Sequence, residues 1–191
     1  MPKQYQAGFT LVELMVAVAV FLILAAIAIP GFTTYLDKSR LRGAADAVVN
    51  EIAQARQAAV KFDRDVSLAT TGTGATWCLG AREAAAPVVG SEAAAAVACD
   101  CTVSEQCVVD SQELVVGSSA HSGVTLASAA STLTFDGRLG IRSDASTGNA
   151  DQSSFDLTSA SGDFTLTVNI SPLGHATVCN KSGNILGYPA C

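Results

Sequence analysis

The chain has 191 residues, 49% hydrophobic and 15% charged, which excludes a disordered polyelectrolyte and leaves room for one domain with an appendage. Its net charge is −6, and from Asp65 onward 4 basic residues face 12 acidic ones, so nothing points to a general nucleic-acid binder. Six Cys, an even number in a small chain, point to disulfides in an oxidising compartment, hence to an exported protein with an acidic body.

The first segment, Met1 to Gly8, is short and polar with one cation, Lys3. Leu14 to Ile29 is then an unbroken run of 16 apolar residues, about 24 Å as a helix. A bilayer core of roughly 30 Å needs about 20 residues. Counting Phe9, Leu11 and Val12 reaches that length, but Glu13 then lies inside the segment. A carboxylate at that depth is costly and implies a specific partner. Two simpler readings compete. A secretory signal cut after Ala28 fits Ala26-Ile27-Ala28, yet Glu13 interrupts its apolar region and helical periodicity continues past the cut. A plain membrane anchor leaves Glu13 without a role.

Gly8-Phe9-Thr10-Leu11-Val12-Glu13-Leu14 resembles the class III leader of type IV pilins and type II secretion pseudopilins. The resemblance implies that a prepilin peptidase cuts after Gly8 and methylates the new amino terminus on Phe9. The apolar helix is then retained, first as a single pass in a bacterial inner membrane with the body in the periplasm, later in a filament core. Glu13 is implied to pair with the amino terminus of a neighbouring subunit, the counter-charge that a buried carboxylate needs. Pro30-Gly31 ends the apolar run, where pilin helices are kinked or locally melted.

Past Pro30, Leu41, Ala45, Val48, Ile52, Ala55 and Ala59 step by 4, 3, 4, 3 and 4, an apolar stripe at helical spacing. Lys38, Arg40, Arg42, Asp46, Glu51, Arg56 and Lys61 fall on the other faces. The stripe suits a helix laid on its own sheet better than a coiled-coil seam, since it spans under three heptads of mostly small residues. The cations at 38–42 lie just beyond the apolar segment, as a solvated face or against anionic headgroups.

From Asp65 the period changes to two. Phe164, Leu166, Val168 and Ile170 alternate with Thr165, Thr167 and Asn169, a half-buried strand. Thr132–Phe135 and Arg138–Ile141 around Asp136-Gly137 read as a hairpin. Phe155–Thr158 and His175–Cys179 flank the strand at 164, and Val66–Thr70 and Thr76–Leu79 are weaker candidates. Gly80–Ala98 holds 9 Ala in 19 residues, a surface excursion in which Ser91-Glu92 caps a short helix.

Leu133-Thr134-Phe135-Asp136-Gly137-Arg138 and Val168-Asn169-Ile170-Ser171-Pro172-Leu173-Gly174-His175-Ala176-Thr177-Val178-Cys179 resemble the strand motifs of the GspH/FimT-type (H-type) minor pilins and pseudopilins. Some members of that subgroup bind DNA through a late Gly-Arg-x-Arg motif. Here the place reads Gly174-His175-Ala176-Thr177, without either arginine, on an acidic body. A DNA-binding minor pilin for natural transformation is therefore disfavoured.

No catalytic signature accompanies the two histidines, His121 and His175, and the chain is not expected to be an enzyme. Cys99-x-Cys101-x5-Cys107 lacks the spacing of a common zinc finger, so Cys78, Cys99, Cys101, Cys107, Cys179 and Cys191 are disulfide candidates. Cys179 with Cys191, bracketing a Gly/Asn-rich segment, is the first pairing to expect. No metal or cofactor is expected.

These observations predict an α+β pilin fold: a long N-terminal helix, transmembrane in its first half, on a small antiparallel sheet with disulfide-bonded loops. The expected division is a leader at 1–8, a transmembrane and filament-core helix at 9–30, its amphipathic half at 31–64, and an antiparallel β domain at 65–191. The function implied is a minor pilin near the tip of a type IV pilus, priming assembly, with an H-type pseudopilin of type II secretion as the alternative. The implied partners are other pilins or pseudopilins, the prepilin peptidase and the inner membrane, not nucleic acid.

Overall fold

The computed structural model describes residues 8–85, 97–128, 132–142 and 153–191, with backbone alone at 28 and 30. They belong to two compact units, Met1–Leu36 and Asp37–Cys191. A single helix, α1 (Leu11–Phe62), passes from one to the other. Helical backbone continues through Pro30 and Gly31. The helix is thus not melted there, because losing one amide donor to proline leaves the hydrogen bonds of the flanking turns in place.

In the second unit the stripe read from sequence is the buried seam. Leu41, Ala45, Val48, Ile52, Ala55 and Ala59 are all at most 1% exposed. The covered face is wider than one row, however. Ala44 and Glu51 continue the spacing through Val48 and Ala55, in steps of 4, 3 and 4, and are buried beside the stripe. Glu51, expected on a solvated face, is therefore an interior residue, because the small alanines flanking it let the β domain close over that row. The helix stops where Asp63 turns to φ 50 and the Arg64 amide donates to the Ala59 carbonyl at 3.1 Å, a left-handed cap that satisfies a terminal acceptor.

The β domain contains two four-stranded antiparallel sheets rather than the one expected. The first has the order β5 (Val115–Gly117), β2 (Thr76–Glu83), β1 (Val66–Thr73), β7 (Thr132–Phe135); the second has β10 (Ala176–Ser182), β9 (Thr165–Ile170), β8 (Ser153–Thr158), β6 (Thr125–Ser128). A two-stranded ribbon, β3 (Val108–Val109) and β4 (Gln112–Glu113), completes the described strands. Gly74 and Leu126 bridge the two sheets. Alternation works as the period of two demands: Phe155 and Leu157 of β8 and Leu166, Val168 and Ile170 of β9 are buried with Leu133 and Phe135 of β7. Trp77 fixes the first sheet to the loop before β6 by donating its indole N–H to the Val124 carbonyl at 2.8 Å.

The Asp136-Gly137 hairpin is corrected. Asp136 Oδ1 accepts the amides of Arg138 and Leu139, at 2.9 and 2.7 Å, and the left-handed residue is Gly140 instead of Gly137. This widens the turn, so β7 pairs with β1 and meets Arg142 only at an isolated bridge. The capped helix expected at 91–98 lies outside the described residues except for Val97 and Ala98, which are not helical.

Two glycine turns lock this region to the helix. Arg56 donates its Nε–H to the Gly140 carbonyl at 2.8 Å, and Gly174 (φ +76) sits so close that a Cβ would stand 2.5 Å from the Gly140 oxygen. Gly162 shares the positive φ (+81), but a Cβ there meets nothing within 4 Å. Gly162→Ala should thus lose only about 1–2 kcal/mol of stability, to conformational strain. Gly174→Ala should lose at least about 2 kcal/mol more, since backbone must move. Paired thermal melts of the full chain in detergent check this; equal shifts for the two variants would contradict the close approach.

Candidate assembly site

Residues 8–36 present an uncovered apolar surface. Gly8, Phe9 and Thr10 precede the helix, and Phe9 is 86% exposed. Leu11, Val12, Leu14, Met15, Val16, Phe21, Leu22, Ile23 and Leu24 follow as exposed apolar side chains around the helix. The segment is long and apolar enough to cross a membrane, and an apolar surface on all sides needs either lipid or neighbouring helices.

The helix start carries a local device that the sequence analysis missed. Thr10 Oγ1 accepts the Glu13 amide at 3.2 Å, and the Leu14 amide donates to the Thr10 carbonyl at 3.2 Å. Thr10-Leu11-Val12-Glu13 is the S/T-x-x-E pattern of a capping box, preceding an apolar run. Glu13 also lies in the first turn, where a negative charge favours the helix dipole. Among the described residues its carboxylate has no hydrogen-bond or ion-pair partner. Its charge is therefore free to meet a cation from outside the chain. A Cβ added to Gly8 meets nothing within 4 Å among the described residues, so no contact there requires glycine.

The cations beyond the apolar segment are differently used. Lys38 Nζ donates to the Asn184 carbonyl at 2.9 Å, and Arg42 donates to the Leu186 carbonyl at 2.7 Å. Two of the three charges proposed for headgroups thus hold the C-terminal segment, while Arg40 is exposed. Electrostatics elsewhere are structural. Lys181 pairs with Asp156 at 2.5 Å, and that pair with a Thr167 hydrogen bond outweighs the burial that pushes the Asp156 carboxyl up, holding it below the usual range. Glu51 is the exception: burial alone pushes its carboxyl up to about 7, and its Oε1 has no partner.

All six cysteines are bonded: Cys78 with Cys101, Cys99 with Cys107, and Cys179 with Cys191. Their sulfurs are thus committed to one another and not to a metal. His121 stacks beside Trp77, ring centroids 6.5 Å apart, with burial lowering its pKa, while His175 is exposed in the β9–β10 turn.

Comparison with known proteins addresses the two halves separately. The family described as "Prokaryotic N-terminal methylation motif" matches residues 3–29. The family described as "Type II transport protein GspH" matches residues 44–174, more than half of the chain. The chain belongs to the GspH family. It is thus a member of the type IV pilin and pseudopilin superfamily, with the α+β pilin fold. Fimbrial protein EcpC of Eikenella corrodens is 51% identical over 41 residues, covering 22% of this chain and 27% of that protein. Type IV major fimbrial protein FimA of Dichelobacter nodosus is 46% identical over 56 residues, 29% of this chain and 33% of that protein. The chain thus spans about a quarter to a third of these curated relatives. The crystal structure of the type IV minor pilin FimU of Pseudomonas aeruginosa is similar at a TM-score of 0.46 and 17% identity, over 75% of this chain and 91% of that one. These GspH-family and fimbrial relatives are structural proteins rather than enzymes.

Proposed function

We propose that this GspH-family chain is an H-type minor pilin, incorporated near the tip of a type IV pilus, where it helps to prime assembly. The observation that carries this reading is the exposed apolar helix headed by Glu13, whose carboxylate has no partner among the described residues. A prepilin peptidase removes residues 1–8 and methylates Phe9. The helix then holds the protein in the inner membrane, its body in the periplasm, until it moves into a filament. There Glu13 pairs with the amino terminus of a neighbouring Phe9, and Pro30-Gly31 lets the helix bend as it packs. The fimbrial relatives favour a pilus. The second reading is a pseudopilin of type II secretion, favoured by the match of residues 44–174 to a family of type II transport proteins. Purified pili and secretion pseudopili, each probed for the chain, separate the two: enrichment in sheared pilus tips supports the first.

Processing gives a direct test of the leader. Because a side chain at Gly8 would touch nothing among the described residues, Gly8→Val should fold and insert normally. It should nonetheless accumulate at full length, since the added bulk obstructs the peptidase. Mass spectrometry of the membrane fraction reads the new amino terminus. A mature product beginning at Phe9 in the variant would defeat the assignment.

A further inference from the structure

Residues 183–191 form a closed strap on the body. The strap leaves β10 at Gly183, whose φ of +71 and 2.5 Å approach to the Phe164 ring exclude a Cβ. It then lies against the body half of α1. Lys38 and Arg42 donate to its carbonyls at Asn184 and Leu186, and the Tyr188 hydroxyl donates to Asp46 Oδ1 at 3.3 Å. Ile185, 1% exposed, is its one fully buried side chain. The strap returns to the outer edge of β10, where the Asn180 amide donates to the Pro189 carbonyl at 2.7 Å and the Cys191 amide to the Asn180 carbonyl at 3.2 Å. The Cys179–Cys191 bond closes it.

The three disulfides differ in access. Cys99 and Cys107 are 2% and 0% exposed, and Cys78 is 7% exposed and bonded to a half-buried Cys101. Cys191 is exposed and Cys179 half-buried. Thiol exchange needs an attacking thiolate to reach a sulfur, so access ranks these bonds. We infer that residues 183–191 are a thiol-sensitive latch on α1: a dithiol opens the Cys179–Cys191 bond and releases the strap, while the two inner disulfides hold the first sheet intact. One thiolate of the dithiol attacks Cys191 Sγ, the S–S bond breaks, and Cys179 leaves as a thiolate that takes up a proton. The second thiolate displaces Cys191 and closes the reagent into its own disulfide, so two electrons pass to the protein. Release frees the Lys38 and Arg42 donors and uncovers the β10 edge at Asn180, backbone that can then pair with another strand. The subunit surface beside residues 38–46 thereby depends on the thiol poise of its compartment.

The test is a dithiothreitol titration of the full chain in detergent micelles, with alkylation mapped by mass spectrometry and amide exchange read by peptide. Cys179 and Cys191 should be alkylated first, about tenfold ahead of the other four, with exchange over 180–191 rising about tenfold and β8 and β9 unchanged. Earlier opening of Cys78–Cys101 or Cys99–Cys107 would overturn the latch. So would alkylation of Cys179 and Cys191 without faster exchange in the strap. The Cys179→Ser/Cys191→Ser double variant should show the released pattern without reductant; exchange over 180–191 matching the oxidised wild type would also overturn it.

Discussion

Glu51→Gln should stabilise the protein at pH 8 and leave it nearly unchanged at pH 4.5. Glu51 is 6% exposed, its Oε1 has no partner, and burial raises its pKa from 4.5 to about 7. A carboxyl with a raised folded pKa keeps its proton in the native state after the unfolded state has lost it. Stability therefore falls as pH rises from about 4.5 to about 7, by roughly 1.4 kcal/mol per unit at most, and stays reduced above that window. The full loss approaches about 3 kcal/mol. Glutamine keeps the shape and removes the ionisation, so the gap between variant and wild type should open across that window. Thermal melts of the full chain in detergent, followed through the near-ultraviolet signal of the buried Trp77, measure it. Curves for the two proteins that run parallel from pH 4.5 to 8 would show that Glu51 does not carry an uncompensated charge.

That residue also marks where sequence periodicity runs out. The stripe from Leu41 to Ala59 was legible because its spacing matches a helix and its residues are apolar. The burial of Glu51 was not, since a charged side chain beside a stripe reads as solvated unless the width of the covering surface is known. Strands at Phe155–Thr158 and Thr165–Ile170 were legible from alternation. Their division between two sheets was not, because it depends on contacts distant in sequence, such as Val66 opposite Phe135 and Gly74 opposite Leu126. Short strands such as Val115–Gly117 carry too few residues to show a period. The Asp136-Gly137 turn misled because the aspartate side chain competes for the local amides and moves the left-handed position to Gly140. The even number of cysteines announced disulfides, but the partners of Cys78 and Cys99 depend on where a loop crosses the first sheet. Lys38 and Arg42 looked like surface cations because their acceptors lie about 145 residues away in sequence. At the helix start the reverse holds: Thr10-x-x-Glu13 ahead of an apolar run is a signal carried by four adjacent residues, and Thr10 caps the Glu13 amide.

The two roles available to Glu13 make its substitution decisive. As a first-turn residue whose amide Thr10 caps, it requires no charge, and glutamine keeps its length and polarity. As a charge partner for a neighbouring amino terminus, it requires ionisation, which glutamine abolishes. Without it that cation is left unpaired in a low-dielectric interface, a defect of about 3–5 kcal/mol. Glu13→Gln should therefore be processed and inserted like wild type but be missing from filaments. Glu13→Leu should behave alike, and Glu13→Asp should be intermediate because its shorter reach alters the pair's geometry. The measurement is the amount of Glu13→Gln subunit in sheared filaments relative to membranes, at expression matched to wild type. The account predicts normal membrane levels with filament recovery reduced at least about tenfold. Wild-type recovery of Glu13→Gln in filaments would contradict it and leave Glu13 only its place in the capped first turn.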